Sequence, residues 1–237
     1  MSAESAHKTL PVLTGGAYLH FAAGEDSSRA KEMMAMFGSS SPSYLVLESL
    51  DRFNEVMAGD SDTITRACDA VMELKERLET AGIPLVKSDY LRIVIDARAC
   101  GMSGYEFAAN LRSSGVECEM SDANRVVLMF SSANKIEDFE RAEIAILFVR
   151  RKSPIAPEKY PVIKPAVHMP VHEAMFLPQK IVPLKKASGE VCAGLNAPCP
   201  PCVPLVMPGE IIDHNVMAAL KQYGVKRVAI LDRTKTV

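Results

Sequence analysis

The stretch LRIVIDARACGMSGYEFAANLRSSGVECEMSDANRVVLMF (residues 91–130) changes its hydrophobic period twice. LRIVID (91–96) is dense in β-branched residues and reads as a buried strand. SGYEFAANLRSSG then opens with a capping box, Ser103 to Glu106, and closes at Gly115, which is the grammar of a short helix. VECEM (116–120) and RVVLMF (125–130) read as two further strands, and IEDFERAEIAILFV (136–149) returns to helical spacing. Strand, helix, two strands and helix predict a sheet covered by helices, an α+β layer over residues 83–150.

Upstream the pattern is helical. DSSRAKEMMAMFG offers Asp26 as an N-cap, an apolar face of Ala30, Met33, Met34 and Phe37, and Gly38 as a stop. SPSYLVLESLDRFNEVMAG puts Pro42 in a first helical turn and ends at Gly59. DSDTITRACDAVMELKERLETAG repeats Ile64, Ala67, Cys68, Val71, Leu74 and Leu78 at helical spacing and stops at Gly82, long enough to link two subdomains. Downstream of residue 151 lie twelve of the fifteen prolines, which predicts an extended crossing segment. Short strands at 189–195, 203–207 and 225–231, with a helix from Asp213 to Tyr223, predict a small α+β domain in the tail.

A chain of 237 residues with 48% hydrophobic and 24% charged residues can bury a core. A net charge of -2 with interleaved signs gives no basic face for nucleic acid, and no apolar run is long enough for a membrane span. No secretory leader pattern opens the sequence, so a cytoplasmic location is expected. Cys68, Cys100 and Cys118 sit among apolar neighbours and read as small buried hydrophobes. Cys199 and Cys202, with Cys192 and His214, invite a zinc or redox reading. The spacing matches no strong ligand pattern, and Pro204 and Pro208 argue against a helix after the pair, so no metal is expected. His168 and His172 are separated by Pro170 and do not share a regular helix face. His20 reads as a packed or hydrogen-bonded core residue, and the thirteen methionines as core filling.

Ser5, His7 and Lys8 precede an apolar stretch near Met1. By itself such a His-Lys pair is a solvated one. The Ser39–Ser43 run can cap the helix that begins near Pro42, and a helix N-terminus also suits a phosphate.

Several segments together carry a resemblance. SAHKTLPVLTGGAYLH (5–20) resembles the Ser-x-His-Lys segment of the Orn/Lys/Arg decarboxylases, pyridoxal-phosphate enzymes of the aspartate-aminotransferase fold. MFGSSSPSYLVLESLD (36–51) resembles the Phe-Gly-Ser-Thr-Ser-Pro-Ser-Tyr segment of that family, with Ser40 in the Thr position. GMSGYEFAANLRSSGVECEMSD resembles its small domain, and MPVHEAMF, VPLKKASGEV and CPPCVPLVMPGE resemble its C-terminal signatures. Two tail positions depart from the family: His172 precedes Glu173 where Arg is usual, and Cys199-Pro200-Pro201-Cys202 replaces Tyr-Pro-Pro-Gly. No tail role is carried over.

The resemblance implies three parts: a mostly helical remnant of the cofactor-binding large domain with a linker helix (1–82), an α+β small domain (83–150), and a Pro-rich linker with a small α+β C-terminal domain (151–237). It implies Lys8 as the Schiff-base lysine for pyridoxal 5'-phosphate and Ser5 and His7 as phosphate contacts. Ser39 and Ser40 would reach the phosphate of a neighbouring subunit's cofactor. The implied activity is that of a carboxy-lyase of polyamine metabolism, converting arginine, lysine or ornithine to an amine and carbon dioxide. The family places its phosphate loop, ring-stacking aromatic and ring-nitrogen Asp upstream of the lysine, where this sequence has seven residues. The chain alone is therefore expected to be inactive, to expose an apolar surface, and to work as a homo-oligomer or with a complementary N-terminal half. The alternative is a non-catalytic, truncated homologue that acts as an interaction or regulatory partner of a full-length decarboxylase.

Overall fold

The computed structural model describes residues 1–25, 27–160, 162–195, 203–232 and 234. Two compact units result, Met1–Ala156 and Pro157–Val237.

The first unit opens with a small antiparallel hairpin, β1 (Ser2–Glu4) against β2 (Tyr18–His20), in the register Ser2 to His20. Between them the chain makes one tight 3-10 turn, Ala6–Lys8. Helices α1 (Ser28–Phe37), α2 (Tyr44–Gly59) and α3 (Thr63–Thr80) follow. The periodicity located all three, but Asp26 lies outside the described residues and Ser27 holds the N-cap position of α1. Pro42 precedes the Ser43 N-cap of α2 instead of sitting in its first turn, because the helix starts only at Tyr44.

The α+β layer follows the expected order with small changes. Strands β3 (Leu85–Val86), β4 (Arg92–Asp96), β5 (Met120–Ser121) and β6 (Arg125–Met129) form one antiparallel sheet in the order β3-β4-β6-β5. Side chains alternate across a strand, so Ile93 and Ile95 of β4 and Val126 and Leu128 of β6 share the buried face. Helices α3, α4 (Gly104–Ser113) and α5 (Ile136–Phe148) complete the core with Val71, Leu74, Leu78, Phe107, Leu111, Phe139 and Ile146. Each such side chain stabilises the fold by about 1.5–3 kcal/mol through removal from water. The Phe130 and Phe139 rings stack at 4.9 Å between centroids. The segment read as a strand at 116–120 is ladder only from Met120. Gly115 turns the chain at φ 76°, and Val116 N–H bonds back to the Leu111 carbonyl at 3.0 Å, so the first residues finish the helix.

Only half of the expected capping box at α4 forms. Ser103 Oγ accepts from Glu106 N–H at 3.1 Å, whereas the Glu106 carboxylate takes Lys152 Nζ at 3.0 Å. Gly104, the first residue of α4, lies against the Asp122 and Arg125 carbonyls, and a Cβ there would collide with both. The start of the Pro-rich segment is not a loose linker. Lys152 N–H donates to Cys100 O and Ile155 N–H to Arg98 O, each at 3.0 Å, which ties these residues to the first unit.

The second unit contains a short helix α6 (Val171–Ala174), an antiparallel ladder of β7 (Gln179–Pro183) with β8 (Arg227–Leu231), and helix α7 (His214–Gln222). Its core is Leu184, Cys192, Val206, Ile212, Val216, Leu220, Val228 and Ile230. The expected helix and final strand are present, and Asp213 Oδ1 caps α7 by accepting from Val216 N–H at 2.8 Å. The strand expected at 189–195 is reduced to single bridges, Val191 to Ile211 and Cys192 to Ile230. Strand β7 was hidden by the prolines at 178 and 183 that bracket it. No helix among the described residues is long and apolar enough to cross a membrane.

Candidate functional site

Ser5, His7 and Lys8 come together on the Ala6–Lys8 turn, and the rest of the hairpin loop holds that turn in place. Lys8 N–H donates to Ser5 O at 3.0 Å, Thr9 N–H to Ala6 O at 3.1 Å, and Leu10 N–H to Ala6 O at 2.8 Å. Ala6 is buried as the pivot, while Ser5 and Lys8 are exposed and His7 is half-buried. From the far side of the loop, the Gly16 carbonyl accepts both the His7 backbone N–H at 3.3 Å and the His7 ring Nδ1–H at 2.9 Å.

Helix α2 clamps the same loop. Leu13 N–H donates to Ser49 Oγ at 3.1 Å, and the Tyr18 hydroxyl donates to the Leu50 carbonyl at 3.0 Å, with Asn54 Oδ1 also 3.0 Å away. Burial first, and then the Asp51 carboxylate, push the Tyr18 phenol above its ordinary range, so it stays a neutral donor. Gly16 is buried where a Cβ would press on Leu13 O, Val12 and Leu50 at 3.2–3.3 Å. Gly16, Tyr18 and Ser49 were not singled out from the sequence. The alternation Tyr18-Leu19-His20 behind a Gly-Gly pair was the available signal for a hairpin returning to the lysine.

Ser39 and Ser40 are exposed in the connection between α1 and α2. Ser39 Oγ accepts the Ser41 N–H at 3.1 Å, and no hydrogen bond among the described residues joins either serine to the lysine turn. The capping reading of this run also changes: the N-cap residue of α2 is Ser43, whose side chain makes no capping bond.

His20 is not a core residue. It is exposed, 3.8 Å from the Glu4 carboxylate and 5.9 Å between ring centroids from Tyr18, because its strand lies at the surface. The methionines of α1 are likewise not core: Met33, Met34 and Met36 are all exposed. Met33 and Met34 join Met1, Leu19, Phe21, Arg29 and Ala30 around a mostly apolar hollow of about 400 Å³.

Among the described residues no group of three or more His, Cys, Asp or Glu side chains is placed to hold a metal ion. Cys199 and Cys202 lie outside the described residues. Cys192 is buried with its thiol donating to Gly194 O at 3.0 Å. Cys100 is buried, and desolvation pushes its thiol up; Cys68 and Cys118 are half-buried against the core. His168 and His172 are both exposed, with Pro170 as the N-cap of the short α6 between them.

A hydroxyl, an imidazole and a primary amine on one rigid turn fit the anchoring end of a pyridoxal-phosphate site. The amine suits an aldehyde carbon, and the hydroxyl and imidazole suit phosphate oxygens.

Residues 159–224 match the sequence pattern of the Orn/Lys/Arg decarboxylase C-terminal domain. The chain is 26% identical over 243 residues to an arginine decarboxylase of Bacillus subtilis, covering 93% of this chain and 50% of that protein. An arginine decarboxylase of Halalkalibacterium halodurans is 24% identical, covering 94% of this chain and 50% of the relative. The structure of the Escherichia coli constitutive lysine decarboxylase superimposes with a TM-score of 0.72 at 14% identity, over 97% of this chain and 49% of the other. The chain thus spans about half the length of the relatives it matches.

Proposed function

The chain belongs to the Orn/Lys/Arg decarboxylase family, and from that premise we propose that it is the lysine-bearing half of a pyridoxal-phosphate-dependent decarboxylase of basic amino acids. The observation that supports this is the Ser5–Lys8 turn, which carries an exposed Lys8, an exposed Ser5 and a His7 ring oriented by the Gly16 carbonyl. Lys8 is the residue that would hold the cofactor through its aldehyde, and Ser5 and His7 would hold its phosphate. When bound, the cofactor supplies an electron sink for the carbon that loses carbon dioxide.

The rest falls to this chain's own groups. Lys8 Nζ must be neutral to bond to an aldehyde, and the same amine would be the group on this turn able to return a proton to the reacting carbon. The Gly16 carbonyl and the α2 contacts of Leu13 and Tyr18 keep the turn from drifting. Ser39 and Ser40 would complete a neighbouring subunit's phosphate site in a homo-oligomer. Arginine is the first substrate to try, because the B. subtilis and H. halodurans relatives are named arginine decarboxylases; lysine and ornithine follow. The protein purified from its native source, supplied with the cofactor and arginine, lysine or ornithine, should release carbon dioxide, and Lys8→Ala should abolish release. Undiminished release from Lys8→Ala would exclude the lysine from the chemistry. No release from any of the three substrates would favour a non-catalytic partner.

A further inference from the structure

A neutral imidazole carries one proton, and the hydrogen bond made by one ring nitrogen decides where it sits. His7 Nδ1 lies 2.9 Å from the Gly16 carbonyl oxygen, which has only lone pairs to offer, so the proton is on Nδ1. The same oxygen accepts the His7 backbone N–H at 3.3 Å, so ring and main chain are fixed by one atom. Gly16 is itself wedged between Val12, Leu13 and Leu50. In the neutral ring Nε2 is therefore a bare acceptor.

We propose that this lock makes His7 a proton-coupled anion contact, binding an acceptor-only anion through Nε2 only after taking a second proton from water. A phosphate monoester dianion is such an anion, and it offers nothing to a bare Nε2. The proposal rests on the reading that this turn meets the cofactor phosphate, and it adds that phosphate capture here carries a proton with it. The charged and titratable groups on the elements packed against the turn are Lys8 beside it, Glu4 on β1, Tyr18 and His20 on β2, and Tyr44, Glu48, Asp51, Arg52 and Glu55 on α2. Glu4 and His20 face each other at 3.8 Å, which makes His20 the competing imidazole to control for.

The test uses the full chain with sulfate, which stays a proton-free acceptor across the pH range that titrates histidine. Nitrogen NMR shifts should show neutral His7 protonated on Nδ1, the minor form of free histidine. Sulfate at constant ionic strength against chloride should move the His7 titration curve to higher pH, and sulfate affinity should fall towards ten-fold per pH unit once the ring is neutral. His7→Asn, which keeps a donor for Gly16 but has no Nε2, should retain the fold and lose the pH dependence; His20→Gln should keep it. A neutral ring protonated on Nε2, a titration curve identical in sulfate and chloride, or pH-dependent sulfate binding that survives His7→Asn would each overturn the proposal. None of these readouts involves Lys8 labelling or carbon dioxide release, so a failed decarboxylase reading and a failed proton coupling give different results.

Discussion

Residues 1–60 and residues 63–149 are both rich in amphipathic helix, yet they bury their apolar faces to very different degrees. Helix α1 buries no residue and α2 buries only Phe53, whereas α3 alone buries Ala67, Val71, Leu74 and Leu78. Phe37 and Tyr44 are 83% and 81% exposed, while Phe107 and Leu74 are fully buried. Short helices are marginal in water and take most of their stability from packing, so α1 and α2 carry a pattern written for a face that the layer below does not supply. The hydrogen bonds of Tyr18 and Leu13 hold the lysine turn to α2, and so the site inherits the exposure of its support.

The sharpest break of this contrast is a pair of truncations. Phe107→Ala should cost about 3–5 kcal/mol in denaturant unfolding, because it empties a closed core. Phe37→Ala should change stability by less than about 0.5 kcal/mol and should reduce self-association of the purified chain, since a large exposed apolar face is sticky. Equal losses from the two would mean that residues 1–60 are as well packed as the layer.

Periodicity located every helix longer than eight residues because each face repeats at the helical interval whether or not it finds a partner. What periodicity cannot say is what lies opposite, which is why the methionines of α1 read as core and are exposed. Strands were legible where β-branched residues cluster, as in β4 and β6. They were missed where two residues suffice, as in β3, or where proline brackets them, as in β7. The motif singled out Ser5, His7 and Lys8, and the structure puts the three on one turn and its N-cap. Gly16 and Tyr18 act through a backbone carbonyl and a hydroxyl that no side-chain pattern advertises.

A second test lies inside the layer. Gly104→Ala places a Cβ on the Asp122 and Arg125 carbonyls, backbone atoms that cannot swing aside, and should cost about 2 kcal/mol or more of stability. In contrast, Gly59→Ala at the end of α2 meets open space and should be neutral or slightly stabilising. A harmless Gly104→Ala would show that the layer can relax as readily as residues 1–60.

The smallest expected effect belongs to the second unit. Asp232 is 9% exposed, and the Thr234 hydroxyl at 2.7 Å, helped by the Thr234 N–H and Lys180, holds its carboxyl below the usual carboxylate range. A depressed carboxyl contributes stability that is fully present above its unfolded value, near about pH 4, and is lost as pH falls through the folded value. Thr234→Val should therefore lower stability modestly at neutral pH, and the difference should vanish in acid. A difference that persists unchanged at about pH 2 would assign it to lost packing instead.

The central claim is that the Ser5–Lys8 turn anchors a pyridoxal-phosphate cofactor. Borohydride reduction of the native protein in the presence of the cofactor, followed by peptide mass spectrometry, tests it most directly. The account predicts one dominant phosphopyridoxyl adduct, on Lys8, that disappears in Lys8→Arg; modification spread over surface lysines with no preference for Lys8 would contradict it.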